Sequence, residues 1–214
     1  MTFVEKHIRL QDEDLILNNG RVLFWEKEGI LITSDIHIGK TAHFRRHGIP
    51  ISSQVQDNDL KRLSHLIDYY QPNQLLVVGD LFHAELNVDM ESFSKWRDNN
   101  PNLDISLIKG NHDRLKNEVF ETFDIECCSK QHVRNPFKFI HEPDFSAEGF
   151  SISGHIHPGV VVQKKAPRIK LPCFQVLEHQ LILPAFSEFT GLSIVKTNNK
   201  SVCHAFTETS FFEF

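Results

Sequence analysis

The chain has 214 residues, of which 40% are hydrophobic and 24% are charged. This composition is typical of one globular domain over residues 1–214 and excludes an acidic disordered tail, a collagen-like fibre and a small disulfide scaffold. Asp and Glu number 28 against 23 Lys and Arg, and the net charge of −5 argues against a protein that coats nucleic acid through a basic excess. The 13 histidines are unusual, and their positions matter because histidine is the commonest metal ligand.

Hydrophobic periodicity predicts alternating strands and helices in the first half of the chain. Continuous apolar runs indicate buried strands, whereas apolar residues three and four apart indicate helices. The predicted strands cover residues 22–25, 29–33, 74–78 and 103–108, and the predicted helices cover residues 53–70 and 90–97. This order favours an α/β core with a largely parallel sheet.

Short β-rich runs dominate after residue 123 and predict a second sheet. They lie around Val133 and at residues 137–140, 150–152, 160–162, 169–171, 174–177, 181–183, 192–195 and 202–206. The predicted fold class is therefore α/β, a double β-sheet sandwich flanked by helices in a four-layer arrangement. The apolar C-terminal segment 211–214 is expected either to dock on its own core or to form a homodimer contact.

Cysteine usage and hydropathy bear on the cellular location. The four cysteines, at 127, 128, 173 and 203, show no CxxC spacing and form a poor disulfide framework. The chain opens without a signal-like segment, and it contains no apolar run long enough to span a membrane. We therefore expect a cytoplasmic protein that does not bind membranes.

Polar clusters follow the predicted strands and contain most of the candidate chemistry. Asp35 and His37, then Asp80, then Asn111 follow three strands of the first half. His141 and the pair at 155 and 157 follow two runs of the second half. Because ligands bind at the carboxyl ends of strands in such sheets, these side chains are expected to converge. Residues two apart in extended chain also point to the same side, so each pair is expected to approach one site together.

The types of these side chains indicate a metal centre. Carboxylate, amide and imidazole ligands without thiolate suit Mn²⁺, Fe or Zn²⁺. Seven candidate ligands are too many for one ion but enough for two if a carboxylate bridges them. They are Asp35, His37, Asp80, Asn111, His141, His155 and His157. Glycines at 79, 110 and 154 precede ligand segments and permit the chain to turn closely around the site.

The order of these motifs resembles that of the calcineurin-like metallophosphoesterases. The resemblance covers residues 35–157 and implies a double-sheet fold and two divalent ions, most often Mn²⁺. It implies that Asp35, His37, Asp80 and His157 hold one ion, and that Asp80, Asn111, His141 and His155 hold the other, with Asp80 bridging. It also implies that a metal-bridging hydroxide attacks phosphorus, that His112 is the general acid and that Asp113 orients His112.

A narrower resemblance connects the chain with the bacterial PdeM subgroup, described as ligase-associated DNA damage response endonucleases. It rests on residues 34–50, 140–143, 154–159, 171–174 and 183–191. The subgroup implies a DNA endonuclease linked to repair, with a DNA ligase and a helicase-like protein as partners. Two alternatives to this function remain open. The first is a phosphomonoesterase or small-nucleotide phosphodiesterase, and the second is a repair scaffold without catalysis.

Basic residues near the first motif suggest where substrate binds. Lys40, Arg45 and Arg46, interleaved with Phe44, fit either a nucleic-acid backbone contact or the solvated start of a helix. A second basic run, at residues 164–170, fits either the other bank of the same groove or an exposed hairpin. A long basic groove would favour a polymer substrate, whereas a closed pocket would favour a small molecule.

Overall fold

Two β-sheets lie face to face, and the helices pack against the first of them. The computed structural model describes residues 2–52, 54–83, 88–146, 148–162, 168–195 and 201–214. In the described part of the chain, no helix is long and apolar enough to cross a membrane. The predicted basic run 164–170 lies mostly outside the described residues, and so do Ser53 and residues 84–87.

The first sheet contains seven strands in chain order. They are β1 Glu5–Leu10, β2 Glu13–Asn18, β3 Val22–Trp25, β4 Ile30–Thr33, β5 Gln74–Val78, β6 Asp104–Ile108 and β7 Ile125–Cys128. The first four strands pair antiparallel, whereas β4 to β7 pair parallel. The sheet is therefore mixed rather than largely parallel, because the short turns before β4 permit only antiparallel neighbours.

The helices connect the parallel strands of the first sheet. They are α1 Lys40–Arg46, α2 Gln54–Tyr70, α3 Asp89–Asp98 and α4 Asn117–Glu121, and a 3₁₀ turn covers Glu26–Glu28. The buried face of α2, with Leu60, Leu63 and Leu66, has the spacing that the sequence pattern predicts. Together with Phe93 and Trp96 of α3, these side chains form one core cluster against the first sheet.

The second sheet is built from the β-rich second half. Its strands are β8 Gln131–Arg134, β9 Phe137–Ile140, β10 Phe150–Ser153, β11 Pro158–Val162, β12 Ile169–Leu177, β13 Gln180–Ile182, β14 Ser193–Ile194, β15 Ser201–Phe206 and β16 Phe211–Glu213. Their order is β14-β11-β12-β13-β10-β9-β8, and β15 pairs with β12 and β16. The predicted runs 169–171 and 174–177 form one strand. The C-terminal segment docks on its own sheet through β16.

A second core cluster fills the space between the sheets. In β4, Leu31 packs under the helices, whereas Ile30 and Ile32 face the second sheet, because neighbouring residues of a strand face opposite sides. Trp25 and Phe137 meet edge to face in this layer, with ring centroids 5.0 Å apart. Packing on both faces fixes β4, so the residues that follow it have a rigid support.

Candidate metal centre

The polar segments that follow five strands meet at one rim of the two sheets. The backbone N–H groups of Asp35 and His37 donate to the carbonyls of Gly79 and Asp80, at 3.0 and 2.9 Å. The N–H of His155 crosses from the second sheet to Oδ2 of Asp35, at 3.1 Å. These bonds join the ends of β4, β5 and β10, so the predicted convergence of their side chains has a backbone cause.

Three of the candidate ligands form a first group, consisting of Asp35, His37 and His157. One ligand atom of each lies within 4.8 Å of the others. Nε2 of His157 is 3.1 Å from Oδ1 of Asp35. Asp35 and His37 are buried, with 0% and 4% of their surface exposed, so this group faces the interior side of the rim.

A second group consists of Asp80, His141 and His155, again with ligand atoms within 4.8 Å of one another. Nε2 of His141 lies 3.5 Å from Oδ2 of Asp80 and 3.2 Å from Nδ1 of His155. Oδ1 of Asn111 lies 3.1 Å from the same nitrogen. The other nitrogen of His141, Nδ1, is 3.0 Å from the carbonyl of Val78, a contact that directs Nε2 into the group.

Asp80 lies between the two groups. Its Oδ2 is 4.0 Å from Nε2 of His37 in the first group and 3.5 Å from Nε2 of His141 in the second. Its Oδ1 accepts a hydrogen bond from the backbone N–H of His112, at 2.9 Å. A carboxylate in this position has the placement that a bridging ligand requires.

The backbone at the centre is strained, and the strain concentrates on candidate ligands. Asp35, His37, Asp80, His155 and His157 all have positive φ angles, between 53° and 66°. Such angles are uncommon for residues other than glycine and persist where the surrounding structure enforces them, often at functional sites. The reasoning that each pair lies in extended chain is therefore wrong, and His155 and His157 in fact belong to different groups.

Two glycines permit the close approach of chain segments at the centre. A Cβ at Gly79, whose φ is +87°, would overlap the imidazole of His141. A Cβ at Gly154 would lie 2.7 Å from Oδ2 of Asp35. The backbone thus passes directly beside the candidate ligands, as the glycine pattern of the sequence indicates.

The electrostatics of the second group depend on one buried ion pair. Burial alone would raise the pKa of Asp80, but the hydrogen bond with His141 and the positive charge of that ring lower the pKa to about 2. Burial likewise would lower the pKa of His141, but Asp80 and Asp35 raise it to about 9. In the first group, burial and then the positive charge of Lys40 lower the pKa of His37 to about 3. At neutral pH the centre therefore combines an ionised carboxylate, Asp80, with a protonated imidazole, His141, and a neutral imidazole, His37.

The donor atoms of the centre fit divalent cations. Nδ1 of His37 is buried and has no hydrogen-bond partner within the described residues. The buried Oδ1 of Asp35 contacts Nε2 of His157, another candidate ligand. Buried polar atoms need a partner, and converging carboxylate and imidazole atoms are the ligands that divalent transition metals accept. The two groups, with Asp80 between them, supply ligand atoms for two ions.

Comparison with known proteins agrees with this geometry. The family model for calcineurin-like phosphoesterases matches residues 29–173 of the chain. The chain belongs to the calcineurin-like phosphoesterase family. It is thus a metal-dependent phosphoester hydrolase of a family that binds two divalent ions. The predicted fold class is also confirmed.

Two solved structures are similar to the phosphoesterase to different degrees. Nuclease MPE of Pseudomonas putida is 29% identical, with a TM-score of 0.83, and the match covers 94% of this chain and 96% of that chain. Yfce, a phosphoesterase from E. coli, is 15% identical, with a TM-score of 0.41 over 84% and 88% of the two chains, a likeness too low to support an argument. The comparison with curated proteins finds no match.

His112 lies at the edge of the phosphoesterase centre and stacks on a second histidine. Its ring and that of His83 are 4.7 Å apart with an interplanar angle of 23°. Burial lowers the pKa of His112, while Asp80 acts in the opposite direction. Nothing in the sequence spacing of His83 indicates that its ring stacks on His112.

Asp113 has a different position from the one that the family resemblance implies. Its carboxylate accepts hydrogen bonds from the backbone N–H groups of Asp80, Phe82 and Gly110, at 2.8 to 2.9 Å. In the described part of the chain, no hydrogen bond joins it to the ring of His112. The expectation that Asp113 orients His112 directly is therefore corrected. Asp113 fixes the backbone loops that present Asp80 and Gly110.

The three predicted substrate-binding residues differ in their positions and contacts. Lys40 lies near the centre, because its charge acts on both His37 and His112. Arg45 instead donates to Oδ1 of Asp89 at 2.8 Å and forms an ion pair within the fold. Arg45 therefore stabilises the fold through this ion pair, and its role in holding substrate stays a prediction. Arg46 is exposed on α1.

Three further lysines that the sequence analysis did not single out lie on the other side of the centre. Lys109, Lys130 and Lys138 line an open cleft of about 430 Å³ that also reaches Asn111 and His141, and Glu142 and Asp144 line it too. The lysines lie directly after β6, in a turn and in β9, so their spacing in sequence gives no signal. The fold alone brings these positive charges beside the second group.

Proposed function

We propose that this phosphoesterase is a two-metal DNA phosphodiesterase that acts as an endonuclease. The observation that supports it most directly is the pair of ligand groups with Asp80 between them, at the end of a cleft that three lysines line. The likeness to a nuclease over nearly the whole chain supports a nucleic acid as the substrate class. The net charge of the chain is −5, but lysines cluster beside the centre and supply positive charge there.

Each group has a proposed role in holding metal. Asp35, His37, Asp80 and His157 would hold one ion, and Asp80, Asn111, His141 and His155 would hold the other. Two divalent ions, when bound, neutralise charge on the phosphate and activate water for attack. Mn²⁺ is the proposed ion, since mixed oxygen and nitrogen ligands without thiolate suit it, and Fe and Zn²⁺ are the alternatives.

His112 is the proposed general acid. The hydrogen bond from its backbone to Asp80 holds it beside the centre, and stacking on His83 limits the motion of its ring. Its pKa is lowered in the absence of substrate, and an anionic phosphate bound nearby would favour the protonated imidazole. The imidazolium would then donate its proton to the departing oxygen.

A polymer substrate is favoured over a small nucleotide or a monoester. The centre lies between two open clefts, one with Lys40 and one with Lys109, Lys130 and Lys138. A phosphodiester chain can extend from the centre in both directions along such a surface, whereas a monoester needs only one closed pocket. The phosphomonoesterase is the second candidate function.

The test is hydrolysis of several substrates with several metals. We expect Mn²⁺-dependent cleavage of single-stranded or duplex DNA and of a bis-aryl phosphodiester. Asp80→Ala should abolish both activities, whereas Asp104→Ala, at the opposite end of β6, should retain them. His112→Ala should bind metal and turn over slowly. Hydrolysis of monoesters alone, or full activity of Asp80→Ala, would overturn the proposal.

We also propose that the enzyme acts in DNA repair in the cytoplasm, with a DNA ligase and a helicase-like protein as partners. The resemblance to the PdeM subgroup over residues 34–50 and 183–191 supports this link, and the absence of a CxxC pattern among the cysteines supports a reducing compartment. The test is co-purification of the tagged enzyme with ligase and helicase activities before and after DNA damage. Equal recovery from an untagged strain would contradict it.

A further inference from the structure

An aromatic cleft lies beside the first group of the centre, and the function proposed above gives no role to its aromatic side chains. Its volume is about 350 Å³, within the range of roughly 300 to 1,000 Å³ that ligand sites occupy. It is lined by Lys40, Phe44, Glu188, Phe189, Thr190 and Gly191. The rings of Phe44 and Phe189 meet edge to face, with centroids 5.4 Å apart. Both rings are half-buried, so part of each remains open to a ligand.

The segment that carries Phe189 is tied to the centre at both ends. The N–H of Ser187 donates to the carbonyl of Asp35 at 3.2 Å, and the N–H of Ser193 donates to the carbonyl of His157 at 3.0 Å. The N–H of Phe189 itself donates to Oγ of Ser187 at 3.2 Å. Since Asp35 and His157 are both in the first group, the position of Phe189 relative to that group is fixed. A ring held in this way provides a preorganised contact.

Lys40 connects the aromatic cleft with the centre. Its Nζ is 5.9 Å from the centroid of the Phe189 ring. The backbone N–H of Lys40 donates to the carbonyl of His37 at 3.1 Å, which places the residue beside the first group. Burial lowers the pKa of Lys40, and the carboxylates of Asp35 and Asp80 act in the opposite direction. An ammonium group between a ring and a phosphate-binding centre suits a ligand with a phosphate at one end and a planar group at the other.

Glu188 adds a hydrogen-bond acceptor to the cleft. It lines the cleft, and 57% of its side chain is exposed. Its Oε1 accepts a hydrogen bond from Nη1 of Arg62 at 2.8 Å, which fixes the place of the side chain and pairs its charge. The second carboxylate oxygen can accept a hydrogen bond from an amino or imino group of a base. The two rings and this acceptor therefore fit a planar base.

We propose that Phe189, supported by Phe44, stacks on the base of a nucleotide next to the scissile phosphate. The proposal rests on the proposed function and specifies how that centre recognises DNA. Stacking on an aromatic ring tolerates every base, because each has a π-face. The enzyme would thus favour unpaired nucleotides, whose bases are free to turn into the cleft, without reading their sequence.

The test compares cleavage of oligothymidylate with cleavage of an abasic strand of the same length, made of tetrahydrofuran nucleotides. Phe189→Ala should lower kcat/KM on oligothymidylate by about 5- to 100-fold, the usual effect of losing one stacked base, and leave cleavage of the abasic strand unchanged. Phe189→Trp should retain the preference for bases. Phe212→Ala, an exposed phenylalanine of β16, is the matched control and should change neither rate.

The abasic strand also separates stacking from folding. If Phe189→Ala loses activity on both strands, Phe189→Leu retains an apolar side chain and should still lose the preference for bases. Equal rates on both strands for the wild-type enzyme, or a preference for oligothymidylate that Phe189→Ala and Phe189→Leu leave intact, would overturn stacking alone. Failure of the wild-type enzyme to cleave either strand would overturn the proposed function as well.

Discussion

Binding of the second ion should release a proton from His141. The contact of Nδ1 with the carbonyl of Val78 leaves Nε2 as the atom that faces Asp80 and Asn111. Asp80 holds the pKa of His141 at about 9, so the metal-free protein carries an imidazolium there at neutral pH. A metal ion binds only the neutral ring, and binding is therefore coupled to deprotonation.

The size of this effect follows from the shifted pKa. A rise from 6.5 to about 9 corresponds to roughly 3 kcal/mol of stabilisation in the metal-free protein. Because the folded pKa is raised, this stabilisation is fully present below pH 6.5 and is lost as pH rises through about 9. Over the same interval, the apparent affinity for metal should rise about tenfold per pH unit, since one proton competes with one ion.

Isothermal titration calorimetry with Mn²⁺ measures the coupling. Titrations at pH 7 in two buffers with different ionisation enthalpies should show release of about one proton per chain. His65→Gln, which changes an exposed histidine of α2, is the control and should release the same amount. Release of no proton, with an affinity independent of pH, would refute the proposed role of the pair formed by His141 and Asp80.

Three further predictions test individual parts of the account. Gly79→Ala should lower the free energy of unfolding by more than about 3 kcal/mol and abolish metal binding, because its Cβ would overlap an imidazole of the second group. Urea unfolding and metal analysis measure the two effects, and a stable, metal-loaded variant would contradict the prediction. Lys130→Ala and Lys138→Ala should each reduce the slope of log affinity for single-stranded DNA against log salt by about 0.7; an unchanged slope would remove both lysines from the DNA path. Arg45→Met should destabilise the fold by about 2 kcal/mol, measured by chemical unfolding, because the ion pair with Asp89 is lost, and it should leave kcat unchanged. A loss of kcat with unaltered stability would contradict this and indicate that Arg45 contacts the substrate.

The sequence was most informative where chemistry and periodicity coincide. The predicted strand 74–78 has the bounds of β5. The helix predicted at 53–70 agrees with α2 over Gln54–Tyr70, and residue 53 lies outside the described residues. The segments that follow β4, β5 and β6 carry the candidate ligands that the sequence analysis names, and the ends of these strands lie close together as predicted. Local patterns suffice here because buried parallel strands have continuous apolar runs that turns and polar clusters interrupt.

Features that depend on distant segments could not be read in the same way. Strands β1 and β2 of the first sheet were missed, and the residues of β1 are only partly buried and lack a strong pattern. The use of Arg45 and Asp113 within the fold depends on partners 44 and about 30 positions away. The aromatic cleft joins Phe44 to Phe189 from opposite ends of the chain. Only tertiary packing brings such residues together.

Anomalous diffraction from crystals grown with Mn²⁺ tests the central claim most directly. Two peaks roughly 3.5 to 4 Å apart should lie on either side of Asp80. One should be bound by the first group, and the other by the second group with Asn111. A single peak, or two peaks that do not share Asp80, would contradict the two-metal centre on which the proposed DNA cleavage depends.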